Sequence, residues 1–158
     1  MSKKYSDDEM RMLYDRNIDM LYKITYTYFN GDKSKCEDAI QDVFIKVIEK
    51  GIVFESYEHE KAWLIVAIKN KCKNMLKSKW NNESELEIDI PEEHKEDTIL
   101  EKVLKLPNVY KLPIYLYYYE GYSCIEISKI LNKKENTIYS CLNRGRNILK
   151  LEIEEELK

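Results

Sequence analysis

The chain has 158 residues, of which 44% are apolar and 35% charged, with a formal net charge of -3. That length suits one ordinary domain or two small ones, and the scarcity of turn residues, four glycines and three prolines, disfavours a fold of many short strands. No apolar run reaches the roughly 18 residues of a membrane span, and the polar stretch Met1 to Met10 lacks the apolar region of a secretory signal, so a cytoplasmic location is expected.

Met10, Leu13, Met20, Leu21, Ile24 and Tyr28 recur at helical spacing, with Asn17 as the polar interruption. They predict a first helix from about Asp7 to Phe29, ended by Asn30-Gly31-Asp32, whose first two residues tolerate the left-handed backbone of a helix end. Ser34 with Glu37 has the spacing of a capping box and predicts a second helix to about Lys50, stopped by Gly51. Its apolar face is Cys36, Ala39, Ile40, Val43, Phe44, Val47 and Ile48, and its other face carries Glu37, Asp38, Gln41, Asp42 and Lys46. After a short connection a third helix is expected from about Glu58 to Lys79, apolar nearly all round from Ala62 to Ile68 and then basic.

Residues 80–97 carry Pro91 and an acidic run with little periodicity, the composition of a solvated, flexible linker. Beyond it, Ile99, Leu100, Val103 and Leu104 suggest a short helix before Leu106-Pro107. The next helix spans about Asn108 to Glu120, with Pro113 either in a late first turn or at a kink. Ser123 with Glu126 makes a second capping box and opens a short helix to Leu131. A four-residue turn, Asn132 to Glu135, leads to a last helix from Thr137 to about Leu151 with Asn136 as its cap. A short helix, a tight turn and a longer basic helix form a helix-turn-helix pattern. The expected fold is all-α: a three-helix bundle in residues 1–79, the linker 80–97 and a helix-turn-helix domain in 98–158.

Charge is unevenly placed, and its distribution says more than the sum. Lys61 to Lys79 holds six lysines and no acid, Asn82 to Lys102 nine acids against two lysines, and Lys129 to Lys150 six basic residues against Glu135 alone. Cys36, Cys72, Cys124 and Cys141 are far apart and, with only His59 and His94 beside them, lack zinc-ligand spacing. They read as small buried hydrophobes. No phosphate loop, catalytic triad or metal motif is present, so neither an enzyme nor a cofactor is expected.

Several residues admit two readings. Trp63 is either core or an aromatic that packs near an unstacked strand while the neighbouring lysines hold phosphates. Lysines 69, 71, 73, 77 and 79 are either a solvated face or a phosphate-binding one. The carboxylates of the second helix are either an ordinary exposed face or a docking surface. The run Tyr115 to Tyr119 suits packing better than base stacking.

Three segments resemble the RNA polymerase sigma factors of the extracytoplasmic-function (ECF) type. Cys36-Glu37-Asp38-Ala39-Ile40-Gln41-Asp42-Val43-Phe44 is similar to the family's helix that docks on core polymerase. Phe54, Lys61-Ala62-Trp63-Leu64, Asn70 and Asn74 resemble its segment that opens the −10 promoter element. Leu106-Pro107, Tyr119-Glu120-Gly121-Tyr122-Ser123, Glu126-Ile127, Leu131, Thr137-Ile138 and Arg144-Gly145-Arg146 resemble the segment that reads the −35 element. Asn136, Tyr139, Cys141 and Gly145 depart from the family's usual residues, as do Ile68 and Lys69 from the phase of its third helix.

The resemblance implies an alternative sigma factor without catalysis of its own, with sigma regions 2 and 4 in the two domains. Its implied partners are core RNA polymerase, promoter DNA and an anti-sigma factor, with no small-molecule substrate. It implies core binding by Glu37, Asp38, Gln41 and Asp42. It places −10 contacts at Trp63, Lys69, Asn70, Lys73, Asn74 and Lys77, aided by Lys71, with the loop Glu55 to Glu60 receiving a flipped base. Helical geometry puts Ile138, Cys141, Leu142, Gly145 and Leu149 inward and Tyr139, Ser140, Asn143, Arg144 and Asn147 toward DNA. Lys133, Lys134 and Thr137 would hold the DNA backbone. The competing reading is a stand-alone helix-turn-helix regulator, which would need neither the acidic helix nor the tryptophan-lysine helix. A helical interaction protein that binds no DNA would not need the basic last helix.

Overall fold

The computed structural model of the protein describes residues 2–78 and 98–156. The chain divides into two compact units, Met1–Glu87 and Ile88–Lys158, each considered by itself. The linker expected over residues 80–97 lies outside the described residues.

The first unit is three helices, α1 (Asp7–Phe29), α2 (Lys33–Lys50) and α3 (Tyr57–Ser78), each packed on the other two. The apolar stripe of α1 buries Leu13, Leu21 and Ile24 against Cys36, Ala39, Val43 and Val47 of α2 and Leu64, Ile65, Ile68 and Cys72 of α3. Asn30 takes the left-handed conformation after α1 and Gly51 takes it after α2, which closes both helices where their turn residues indicate. Two expectations change. The start of α2 is capped by Asp32, whose side chain accepts from the Lys35 amide. Ser34 and Glu37 therefore sit inside the helix, and a complete capping box forms instead between Ser6 and Glu9 at the start of α1. Ile48, expected on the inner face, is 48% exposed, because α1 and α3 already cover the Val43–Val47 edge of α2.

The second unit holds α4 (Thr98–Leu104), α5 (Asn108–Tyr118), α6 (Cys124–Leu131) and α7 (Glu135–Glu156). α7 packs on α4, α5 and α6. Leu112, Ile114, Tyr115 and Leu116 of α5 meet Ile127 and Leu131 of α6 and Ile138 and Leu142 of α7 in one core. Every residue from Lys111 to Leu116 is buried, so the middle of α5 is enclosed on all sides, while Val109, Tyr117 and Tyr118 at its ends are exposed. Pro113 lies within α5; lacking an N–H, it leaves the ladder one bond short at Val109. The Ser123–Glu126 box caps α6 as its spacing indicates. α7 begins at Glu135, earlier than expected, so Asn136 lies inside the helix rather than capping it. The turn shrinks to Asn132–Lys134, with Asn132 left-handed at φ 53°. Among the described residues no helix is long and apolar enough to cross a membrane.

Candidate nucleic-acid and polymerase interfaces

On α2 the burial pattern separates two faces cleanly. Cys36, Ala39, Ile40, Val43 and Phe44 are buried, whereas Glu37, Asp38, Gln41 and Asp42 are exposed. Two of the exposed carboxylates are already engaged within the unit. Glu37 accepts from the Tyr22 hydroxyl at 2.8 Å, and burial followed by that hydrogen bond to a carboxylate pushes the Tyr22 hydroxyl well above its usual range. Asp42 pairs with Lys71 of α3 at 2.8 Å. Ile45 and Ile48 extend the same side of α2 as exposed aliphatics. Ile45 lies i+4 from Gln41 and i+3 from Asp42, and Ile48 lies i+3 from Ile45, so the acidic patch continues into an apolar one, which the sequence pattern had hidden by assigning Ile48 to the core.

On α3 the buried residues Leu64, Ile65, Ile68 and Cys72 form the inner stripe. Asn70, Lys73, Asn74 and Lys77 are exposed, and their 70, 73, 74, 77 spacing places them on one outward face. Lys69 and Lys71 flank that face and are half-buried. Trp63 is half-buried too. Its ring meets Phe54 edge-on at 5.7 Å and lies under the Lys46 ammonium at 5.8 Å, so part of the indole is packed and part is accessible. The connection before α3 is shorter than expected. Tyr57 already opens the helix, which leaves Ile52 to Ser56 as the loop and Glu58, His59 and Glu60 in the first turn.

A polar cluster with no signal in the sequence joins that first turn to α1. Glu60 is 5% exposed. Arg16 clamps its carboxylate through Nε at 3.0 Å and Nη2 at 2.6 Å, and the Asn17 amide adds a third bond at 3.0 Å. Burial alone would raise the Glu60 carboxyl, but the bonds from Arg16 and Asn17 and the Arg16 charge outweigh it and hold the group below its ordinary range. Asn17 was the polar interruption of the first helix, and its amide also bonds the Leu13 carbonyl at 2.9 Å.

In the second unit, α7 divides as helical geometry requires. Ile138, Cys141, Leu142 and Gly145 are buried and Leu149 half-buried, while Tyr139, Ser140, Asn143, Arg144 and Asn147 are exposed. Lys133, Lys134 and Thr137 are exposed beside them. Asn143 accepts from Arg146 Nη2 at 2.8 Å, which orients its amide and leaves the NH2 free to donate. Gly145 has a packing reason: a Cβ there would lie 2.9 Å from Cγ1 of the buried Ile114. The four cysteines are all buried, and burial raises the thiols of Cys36, Cys72 and Cys141, as suits hydrophobic fillers.

Each of the two units is similar to a known protein family. Residues 13–82 match the Sigma-70 region 2 family and residues 96–149 match Sigma-70, region 4. The chain is 26% identical to the ECF RNA polymerase sigma factor SigW of Bacillus subtilis (strain 168), over 97% of this chain and 93% of that one. It is 22% identical to SigX of the same organism, over 94% and 85%. In fold it resembles the sigma factor RpoE of Bartonella quintana, solved with the anti-sigma factor NepR, at a TM-score of 0.73, 18% identity and 91% and 96% coverage. It also resembles CnrH, solved with the cytosolic domain of CnrY, at 0.66, 16% identity and 95% and 90% coverage. With a region 2 bundle and a region 4 helix-turn-helix in that order along one chain, the protein belongs to the ECF-type RNA polymerase sigma factors and is an alternative sigma factor directing transcription initiation.

Proposed function

We propose that residues 1–79 dock on core RNA polymerase and open the −10 element, that residues 98–158 read the −35 element, and that residues 80–97 tether the two. The outward side of α2, with Glu37, Asp38, Gln41 and Asp42, is the polymerase face. On α3, Trp63, Lys69, Asn70, Lys73, Asn74 and Lys77 hold the −10 strand: the lysines neutralise phosphates, the asparagines donate to bases or backbone, and the indole packs against an unstacked base. In the second unit Tyr139, Ser140, Asn143 and Arg144 face the major groove, while Lys133, Lys134 and Thr137 grip the backbone. The factor acts on promoter DNA with core polymerase as partner, takes no small-molecule substrate or cofactor, and contributes no catalysis of its own. An anti-sigma protein is a further proposed partner, since the sigma factor RpoE, similar in fold, is solved in complex with the anti-sigma factor NepR.

The observation that carries this reading is the split of α7 into a buried apolar side and an exposed side bearing Asn143 and Arg144. Arginine pairs bidentately with guanine and asparagine with adenine. Selection of −35 variants tests it. Arg144→Ala should cost about 1–3 kcal/mol and relax one base position, whereas Lys134→Ala should weaken all sites alike. An Arg144→Ala protein with the wild-type preference at every position defeats the assignment.

A further inference from the structure

The loop Ile52–Ser56 joins α2 to α3 and carries Phe54 next to Trp63. Five residues between two helices have little internal packing to hold one shape, yet a loop that receives a base must be held within about 0.5 Å of its working geometry. Two features outside the loop do this holding. The first is the segment Ser2–Tyr5. The Lys3 amide donates to the Gly51 carbonyl at 2.7 Å and the Tyr5 hydroxyl donates to the Ile52 carbonyl at 2.6 Å. Gly51 fits this approach as no other residue does: its φ is +56°, and a Cβ there would lie 2.5 Å from the Lys3 carbonyl oxygen and 2.7 Å from its nitrogen. Lys3 is itself anchored to Glu9 of α1 at 2.6 Å. The second feature is the Arg16–Glu60–Asn17 cluster, which bolts the other end of the loop to α1. The Glu60 amide in turn donates to the Ser56 carbonyl at 3.0 Å. Between the segment, α1 and the loop lies an open cavity of about 460 Å³, walled by Lys3, Tyr5, Arg16, Phe54, Tyr57 and Glu60.

We propose that Lys3, Tyr5, Arg16 and Glu60 are positioning residues for −10 recognition: they fix the backbone of the Ile52–Ser56 loop from both ends so that it discriminates between bases. They act through the loop and not by phosphate contact. Arg16 is held by a carboxylate and Lys3 by Glu9, so neither cation depends on DNA for a partner. The inference rests on the reading implied by the family resemblance that the stretch Glu55 to Glu60, whose first two residues end this loop and whose last four open α3, faces the −10 strand.

The test uses holoenzyme, the full chain with core polymerase, and a promoter selected from a library randomised at −10. The quantity read is the ratio of affinities for the selected single strand and for strands carrying one substituted base. Tyr5→Phe removes one hydroxyl and a chain lacking residues 2–5 removes the whole segment. Each should lower that ratio by about two- to tenfold, the worth of one or two hydrogen bonds. Affinity for core polymerase and the −35 preference should stay within about twofold of the unaltered protein. Arg16→Ala should act likewise and Arg16→Lys should recover part of the ratio, which a general loss of stability would not do. A merely structural role would lower the melting temperature and all affinities together while leaving the ratio unchanged. That result, in Tyr5→Phe as well as in the shortened chain, overturns the proposal. Phe54→Ala separates the two levels. If Phe54→Ala lowers the ratio and Tyr5→Phe does not, positioning is wrong and the loop assignment stands. If Phe54→Ala also leaves it unchanged, the loop does not face the strand and both fall.

Discussion

Lys111 is a buried cation in the second unit. It is 4% exposed in the enclosed middle of α5, and burial lowers its ammonium from 10.5 to about 8. Between about pH 8 and the free-lysine value the unfolded chain binds more protons than the folded one, so stability rises with pH across that window and is lowest below it. Lys111→Met should abolish the rise. Denaturant unfolding at pH 7, 8.5 and 10 checks this, and equal slopes for the two proteins would refute it. Glu60 shows the contrasting solution in the first unit: a buried charge kept charged by three hydrogen bonds.

Between elements, the same pair of surfaces must stay packed inward and bare outward. Gly145 illustrates the inward demand. As a helix-interior residue it would gain up to about 1 kcal/mol of helix propensity on becoming alanine. The buried Ile114 leaves no room for the new methyl, however, and overpacking costs about 1–3 kcal/mol. Gly145→Ala should therefore destabilise the second unit, and Ile114→Val should relieve part of that cost, read as a coupling term in a double-mutant cycle. Strictly additive effects would remove the packing explanation. α2 illustrates the outward demand. Charge reversal of both Asp38 and Asp42 should weaken core polymerase binding several-fold or more, because like charges across an interface are costly. Asp42 also pairs with Lys71, so Lys71→Ala is the control: this exposed pair is worth only about 0–1 kcal/mol, and its loss should leave core affinity nearly unchanged. Unaltered affinity in the doubly reversed protein would mean that another face docks.

For the whole chain, the decisive feature is that each unit owns a core. Leu21, Ile24, Val47, Leu64 and Ile68 in one and Ile114, Leu116, Ile127, Ile138 and Leu142 in the other are all nearly inaccessible. Fragments 1–87 and 88–158 should therefore each fold alone, with circular dichroism spectra that sum to that of the intact chain. Both should melt with modest stability, since small domains bury a smaller share of their surface. A fragment that stays unfolded would show that its core needs the other half.

The limits of the helices were legible because they depend on neighbours one turn away. Apolar periodicity set the span of α1, Gly51 closed α2, and Ser123 with Glu126 opened α6. The partition of α7 followed from 100° per residue for the same reason. The three motif segments and their order along the chain were likewise enough to indicate the family. Where two local signals competed, the pattern misled: Asp32, nearer the turn, caps α2 and leaves Ser34 and Glu37 inside it. Only the tertiary structure decided the partners of polar residues. Asn17 looked like a flaw in an apolar stripe and Glu60 like the end of a loop until folding joined residues 43 positions apart. Ile48 likewise left its expected environment, because a helix's own periodicity marks which sides differ but not how many sides its neighbours cover.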